Sequence, residues 1–444
     1  MLPVVVIDRA LMGFSLAVHI ILASIGIALP LIIAGAEFLS IKYGDRYYKT
    51  LAKRMTTVLI IFFAVGTASG IAVAIELFVL WPNFISLVGQ VAILSPYLEN
   101  FAFFTEAIFL AIYVYSWNKF KSRYGHLLTL IPVIIGSAAT AALITVLNAF
   151  MNAPTGFDIG IFLKNGTVAN VNPLAVFTGP SVGVEVWHVL STTYFSGLFI
   201  FAAYFAYRLL IAKDEEVKNY YRKALALTMI FVTIATIASI FSGVQSISSL
   251  YSRQPEKYAA IEGDLVPTAH APEYIGGLFI NGSYKYYLTI PDLQSILASG
   301  NASGVVPGLS LYAQSSWPPL FDIHLMFDIM VLGGFGIGIF IFIVVALLLL
   351  KREPYEKKSI LYLIILSGIL ALLLLEIGWV MSETARQPWI VYNVMTVDQA
   401  ANYSESGFPI LIALVLFYVA VIPLSLIVLR RVLGRRPLRD ELVA

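Results

Sequence analysis

The sequence predicts an all-α integral membrane protein of nine transmembrane helices, with its N-terminus outside and its C-terminus cytoplasmic. Three observations carry that reading. Of 444 residues, 59% are hydrophobic and only 12% charged, about half the roughly 25% charge that clothes a soluble domain. The apolar residues gather into nine runs of the ~20 residues needed to cross a bilayer. The polar connections between those runs alternate between cation-rich and cation-poor. There is no cysteine, which excludes disulfides, thiolate metal sites, iron–sulfur clusters and covalently attached c-type haem.

The first run, 10–40, is far longer than the apolar core of a signal peptide and long enough to tilt or project from the bilayer. Lys42, Arg46, Lys49, Lys53 and Arg54 follow it. The second run is 55–81. The third, 92–116, leads into Lys119, Lys121 and Arg123, and the fourth is 127–150. Around the end of the fifth, 184–211, lie Arg208, Lys213, Lys218, Arg222 and Lys223, before the sixth at 224–247. The seventh, 320–350, is again long and meets Lys351, Arg352, Lys357 and Lys358; the eighth is 359–382. The ninth, 408–429, ends in Arg430, Arg431, Arg435, Arg436 and Arg439. Of the 28 Lys and Arg residues, only Arg9, Lys164, Arg253, Lys257, Lys285 and Arg386 lie elsewhere. The positive-inside rule therefore puts the basic connections and the C-terminus in the cytoplasm.

The outward connections are longer and rich in Gly, Pro, Ser and Asn. One of them, 248–319, exceeds the length of an idle loop and divides the chain into 1–247, the loop, and 320–444. All four N-x-S/T sequons, at Asn165, Asn281, Asn301 and Asn402, fall on the outer side and permit glycosylation there. There is no internal repeat, low-complexity run or soluble domain.

Ionisable side chains inside such runs are the informative ones, because each costs several kcal/mol unless paired or coordinated. From the helical rise, His19 lies about 14 Å, Glu99 about 10 Å, Glu376 about 9 Å, His188 about 6 Å and Met330 about 15 Å below the outer ends of their runs. Glu106 lies deeper, at about 21 Å. Singly, each has a plain reading. A membrane His bonds to a neighbouring helix, a Met packs, and two carboxylates share a proton or face water. Together, two His, one Met and two Glu in one layer form an inventory of haem ligands. His/Met ligation suits an electron-transfer haem, and an open axial position suits O₂. In FAVGTASG of the second run, Gly66 and Gly70 stand at GxxxG spacing, which serves close helix packing and also leaves a surface smooth enough to seat a porphyrin.

Eight stretches occur in order: SLAVHIILA around His19, FAVGTASG, YLENFAFFTEAIF around Glu99 and Glu106, GSAATAALITVLNAFMNAP, VEVWHVL around His188, KYAAIEGDL in the long loop, FDIMVLGGF around Met330, and LEIGWVMSETARQPW around Glu376. On these the chain resembles the large haem-bearing subunit I of cytochrome bd-type quinol oxidases, over nearly its whole length, in a divergent form with a short quinol loop. The resemblance implies that His188 and Met330 are the axial ligands of a low-spin haem b. It implies that His19, Glu99 and Glu376 serve two high-spin haems, one a haem b and the other a haem d or third haem b, without saying which residue serves which. Trp379 and Arg386 become cofactor-binding residues, with Ala385 in ARQPW where Gly is usual. Arg386 then neutralises carboxylates or haem propionates; its plain alternative is an interfacial anchor snorkelling to water.

By the same resemblance Lys257, Glu262, Glu106 and Glu99 are the catalytic candidates. Lys257 and Glu262 form the quinol-site pair, the carboxylate accepting a quinol proton while the cation keeps it ionised; without the resemblance they read as a solvated charge pair of the loop. Glu106, Thr140 and Asn148, at graded depths on the third and fourth runs, are placed to relay cytoplasmic protons; the plain alternative for Thr140 and Asn148 is ordinary interhelical hydrogen bonding. Two departures stand out. Asp328 occupies a position where the family often has Arg, and His324 shares its helix face at i−4, which makes a His324–Asp328 pair and makes His324 a rival to Met330 as ligand. The implied activity is a quinol:O₂ oxidoreductase of the prokaryotic plasma membrane. It oxidises quinol on the outer side, reduces O₂ with cytoplasmic protons, and generates proton-motive force without pumping. Its implied partners are a second membrane subunit, quinol, O₂ and lipid, with no nucleic acid. The alternatives are a haem b electron-transfer subunit without O₂ chemistry and an ion-coupled transporter.

Overall fold

The computed structural model describes residues 4–403, 407–434 and 438–443. Arg435 and Arg436 of the basic tail, and Ser404 of the fourth sequon, lie outside them. Among the described residues nine helices are long and apolar enough to cross a membrane. They begin with α1 (Val4–Tyr43) packed on α2 (Arg46–Leu80). Short α3 (Pro82–Val91) leads to α4 (Leu94–Tyr115), and α5 (Arg123–Leu128) and α6 (Ile131–Asn152) run together as one span. After α7 (Ile159–Asn165), α8 (Val182–Ile211) pairs with α9 (Glu215–Arg253).

The long connection carries α10 (Pro255–Glu262), β1 (Thr268–Ala269), β2 (Glu273–Ile280), β3 (Ser283–Ile290), α11 (Leu293–Ser299) and β4 (Val305–Val306). Then come α12 (Ile323–Leu349), α13 (Lys358–Thr384), β5 (Trp389–Val391), β6 (Met395–Thr396), α14 (Val397–Ala400), α15 (Gly407–Gly434) and α16 (Leu438–Val443).

Each predicted run is helical, the fourth as α5 and α6 in succession, and local chemistry sets the ends. α9 starts well before the apolar run at 224. The Asp214 side chain accepts from the backbone N–H of Glu216 at 2.9 Å and of Val217 at 3.3 Å, and Glu215 and Glu216 sit favourably at the positive end of the helix. α9 also runs past the predicted boundary at 247, to Arg253.

The chain is mostly helical, as predicted, but the connection at 248–319 is not plain loop. β2 and β3 form a hairpin in which Ile280 pairs with Ser283. Between them Asn281 and Gly282 both take positive φ, 53° and 83°, the arrangement that Asn-Gly favours. Asn402 of the fourth sequon is spoken for, since its side-chain amide donates to the Val79 carbonyl at 3.1 Å.

The main core lies among α1, α2, α8, α9, α12 and α13. Its tightest point is Gly197 of α8. A Cβ there would sit 2.2 Å from the Ser24 carbonyl oxygen of α1, so only glycine lets the two backbones meet. α8 is held as closely on its other side, where a Cβ at Gly368 of α13 would lie 2.4 Å from Ala203 Cβ.

Candidate functional site

Three candidate ligands are each presented against a glycine of the facing helix. His19 of α1 lies over Gly70 of α2, where a Cβ would come within 3.1 Å of the ring. His188 of α8 lies over Gly243 of α9, at 3.9 Å by the same measure. Met330 of α12 lies over Gly378 of α13, where a Cβ would be 2.6 Å from Sδ. The histidines share a second feature. His19 Nδ1 is 2.9 Å from Ser69 Oγ, and His188 Nδ1 is 3.0 Å from Ser242 Oγ. Among the described residues neither Nε2 has a hydrogen-bond partner.

Glu376 of α13 is the anomaly of the span. Both carboxyl oxygens are buried, and among the described residues neither has a hydrogen-bond partner. Leaving buried polar atoms unpaired costs about 1–3 kcal/mol each, and more when charged. Glu376 lies two residues from Gly378, so its helix is also the one that faces Met330. An iron porphyrin brings four nitrogens of its own and asks the protein for only one or two donors. Single imidazole, thioether and carboxyl groups, glycine-cleared helix surfaces and an orphaned carboxylate fit that demand. Accordingly, no three His, Asp or Glu side chains converge on a protein-only metal site among the described residues. The candidates come from separate seams: α1–α2, α8–α9 and α12–α13. Glu99 stands apart on α4, half-buried and without a hydrogen-bond partner among the described residues. Trp379 is half-buried beside Gly378.

At the end of the bundle that carries the long connection, ARQPW anchors a polar network. Arg386 is 3% exposed, which overturns the reading of a snorkelling anchor. It pairs with Glu383 and donates to Asn152 Oδ1 at 2.8 Å. Asn152 in turn donates to Glu185, and Asn148 donates to Glu383 Oε1 at 2.9 Å. Arg386 Nε, Gln254 Oε1 and Trp389 Nε1 are buried without partners among the described residues. Their residues line, with Lys257, a cavity of about 10 Å³, room for roughly one water.

Lys257 and Glu262 do not form a pair. They stand on α10 five residues apart, about 140° around the helix. Lys257 Nζ donates to Ser382 Oγ of α13 at 2.9 Å. Burial, then repulsion from Arg386, pushes its ammonium down to about 8, against the pull of Glu383 and Glu185. Glu262 faces the hairpin instead. Burial, followed by the neighbouring Glu273, Asp264 and Asp328, drives its carboxyl well above the usual range. Burial and Asp328 push Glu273 up to about 7, and burial first, then Glu273, does the same to Asp264. Asp264 is held by Gln294 at 2.5 Å. No cation keeps Glu262 ionised among the described residues; the low dielectric and the crowd of like charges favour a shared proton.

His324 is not a rival ligand. It is 1% exposed, and its Nδ1 and Nε2 face the Ile261 and Gly276 carbonyls at 2.7 and 3.1 Å, leaving no nitrogen for iron. Asp328 lies 3.5 Å from it and accepts from Gly276 N at 2.5 Å. The pair fastens β2 and α10 to α12.

The proposed relay is not connected by hydrogen bonds among the described residues. Glu106 is buried against Gly136 of α6. Thr140 donates to the Gly136 carbonyl of its own helix at 3.0 Å, and Asn148 belongs to the Arg386 network.

Several buried acids escaped the sequence reading, Glu76 and Glu37 among them. Glu76 of α2, 0% exposed, accepts from Ser15 at 2.5 Å, and its Oε2 has no partner among the described residues; an acid inside an apolar run was the available signal. Glu37 of α1 lies 2.6 Å from His126 Nδ1 and accepts from Tyr113 OH at 2.7 Å. That cluster joins residues far apart in the chain, so no local pattern announces it.

A family model described as cytochrome bd terminal oxidase subunit I matches residues 7–437. A putative cytochrome bd menaquinol oxidase subunit I of Bacillus subtilis is 33% identical over 408 residues, 90% of each chain. A cytochrome bd ubiquinol oxidase subunit 1 of the same organism is 28% identical over 90% of this chain and 86% of its own. The solved bd oxidase of Geobacillus thermodenitrificans superposes with a TM-score of 0.90 at 39% identity, covering 98% of this chain and 99% of that one.

Proposed function

The chain belongs to the cytochrome bd terminal oxidase subunit I family, a multi-pass membrane subunit of a respiratory quinol oxidase, and from that premise we propose which residues perform its chemistry. His188 and Met330 hold a low-spin haem b. His19, Glu376 and Glu99 serve two high-spin haems, one a haem b and the other a haem d or haem b, with Trp379 beside them. Bound haem would supply electron transfer and dioxygen reduction. The single observation that carries the assignment is Glu376, whose two buried oxygens have no hydrogen-bond partner among the described residues. A cationic iron centre stabilises such a carboxylate where hydrocarbon does not.

The remaining steps belong to side chains of this chain. Quinol meets α10 on the outer face, where Lys257 orients one oxygen. On the other flank of α10, Glu262 and Glu273, the latter pushed up to about 7, are the carboxyls that take up the released proton. Arg386 and Glu383 hold the end of α13 so that Glu376 and Gly378 keep their places. Glu106 delivers protons from the cytoplasmic side, so turnover separates charge at about 2.3 kcal/mol per charge per 100 mV. A second membrane subunit completes the enzyme.

The test is Glu376→Gln in the assembled oxidase. Reduced-minus-oxidised spectra should lose one high-spin haem signal while the low-spin band persists. An unchanged spectrum with full haem content removes Glu376 from the cofactor set, and the assignment with it.

A further inference from the structure

The two histidines are held by the same device on different helices. Each ring faces a Ser-Gly dipeptide, Ser69-Gly70 of α2 and Ser242-Gly243 of α9. In each the glycine leaves room for the ring, and the serine oxygen meets Nδ1. Each serine also donates within its own helix three residues back, Ser69 to the Gly66 carbonyl at 2.8 Å and Ser242 to the Ser239 carbonyl at 3.0 Å.

A hydroxyl has one proton to give and lone pairs to receive. A carbonyl can only accept. When the serine proton goes to the carbonyl, the serine oxygen must accept from the ring, so Nδ1 carries hydrogen. The opposite tautomer would set Nδ1 and the carbonyl competing for one proton, and one contact would be lost. Only one arrangement makes both contacts hydrogen bonds, and it leaves Nε2 bare in both rings.

We propose that Ser69 and Ser242 are positioning residues that fix the Nδ1–H tautomer of His19 and His188, aim Nε2 at iron and set the donor strength of each ring. The proposal rests on the reading of these histidines as haem ligands. Neither serine touches the cofactor in this scheme; each acts through its histidine, as outer hydrogen-bond partners of metal-bound imidazoles do. Accepting a hydrogen bond from Nδ1–H makes the imidazole more basic, which favours ferric over ferrous iron. Removing the acceptor relaxes that preference.

The experiment is a redox titration of the assembled oxidase carrying Ser242→Ala, Ser242→Thr, Ser69→Ala or Ser69→Thr, with haem content measured by extraction. Outer-partner losses run from about 10- to 100-fold in metal affinity. A tenfold loss of ferric over ferrous preference is an upward shift of about 59 mV for one electron. Ser242→Ala should move only the low-spin midpoint potential by that order, and Ser69→Ala only a high-spin one, while both Thr variants return toward the parent value. Loss of haem from an Ala variant with retention in its Thr counterpart supports the proposal equally. Unchanged potentials in both Ala variants, or equal loss in Ala and Thr, overturn it. His188→Ala and His19→Ala separate the two levels. If they remove haem signals while the serine variants change nothing, the ligand reading stands and the tautomer device falls. If the histidine variants keep every signal, the ligand reading itself fails.

Discussion

Gly378→Ala tests whether Met330 is a ligand or packing, and the structure sets its size. The added Cβ would lie 2.6 Å from Met330 Sδ, against 3.4 Å at the near edge of ordinary contact, so the thioether must retreat by about 0.8 Å. An unbound methionine is flexible and yields at little cost; the substitution then costs at most about 1–3 kcal/mol of overpacking and leaves spectra alone. A methionine fixed at a metal cannot retreat without weakening its bond. Gly378→Ala should therefore abolish or shift the low-spin band in the reduced spectrum at nearly normal haem content. Gly70→Ala, with 3.1 Å to the His19 ring, demands only about 0.3 Å of movement and should disturb a high-spin signal mildly; Gly243→Ala, at 3.9 Å, should be silent. The order of the three is the prediction. An intact low-spin band in Gly378→Ala would refute the ligand role of Met330.

Glu106→Gln should leave all haem spectra intact while slowing O₂ reduction severalfold, measured with an oxygen electrode; loss of haem instead would make Glu106 structural. Quinol oxidation should fall as pH climbs through about 8, because burial holds the Lys257 ammonium to that value and the cation is present below it and lost above. Lys257→Ala should impair the quinol-driven rate at every pH but spare turnover fed by a direct reductant, and a quinol-driven rate equal to the parent's would remove Lys257 from the site. The same shift makes the folded chain relatively more stable as pH rises from about 8 toward the ordinary lysine value, since the unfolded state binds more protons in that window.

The spans were legible because burying a helix in lipid demands a continuous apolar run, a local property that any window of sequence displays. The hairpin went unread, although Asn281-Gly282 between two runs rich in aromatic and β-branched residues was an available signal. The hydropathy of the chain pointed elsewhere, and a strand pair docked on a membrane bundle leaves no apolar run. Candidate ligands stood out for their cost in hydrocarbon, and Glu76 obeyed the same rule without being read. Pairings were the weak point. Lys257 and Glu262 look like partners in KYAAIEGDL until α10 is known to be helical, when a separation of about 140° parts them. His324 stood as a rival ligand until its two nitrogens met carbonyls that the loop brings back from residues 261 and 276. Such contacts are tertiary, so no neighbourhood in the chain encodes them.

The meeting of Gly197 with Ser24 has a consequence for the proposed haem sites. Ser24 sits five positions from His19 on one rod, and Gly197 nine from His188 on the other. Where the rods touch backbone to backbone, no side chain is left to flex between them. Under the proposed assignment of both rings to haem, that joint would hold the two cofactor sites at a steady separation, since main chain rather than side chain fills it.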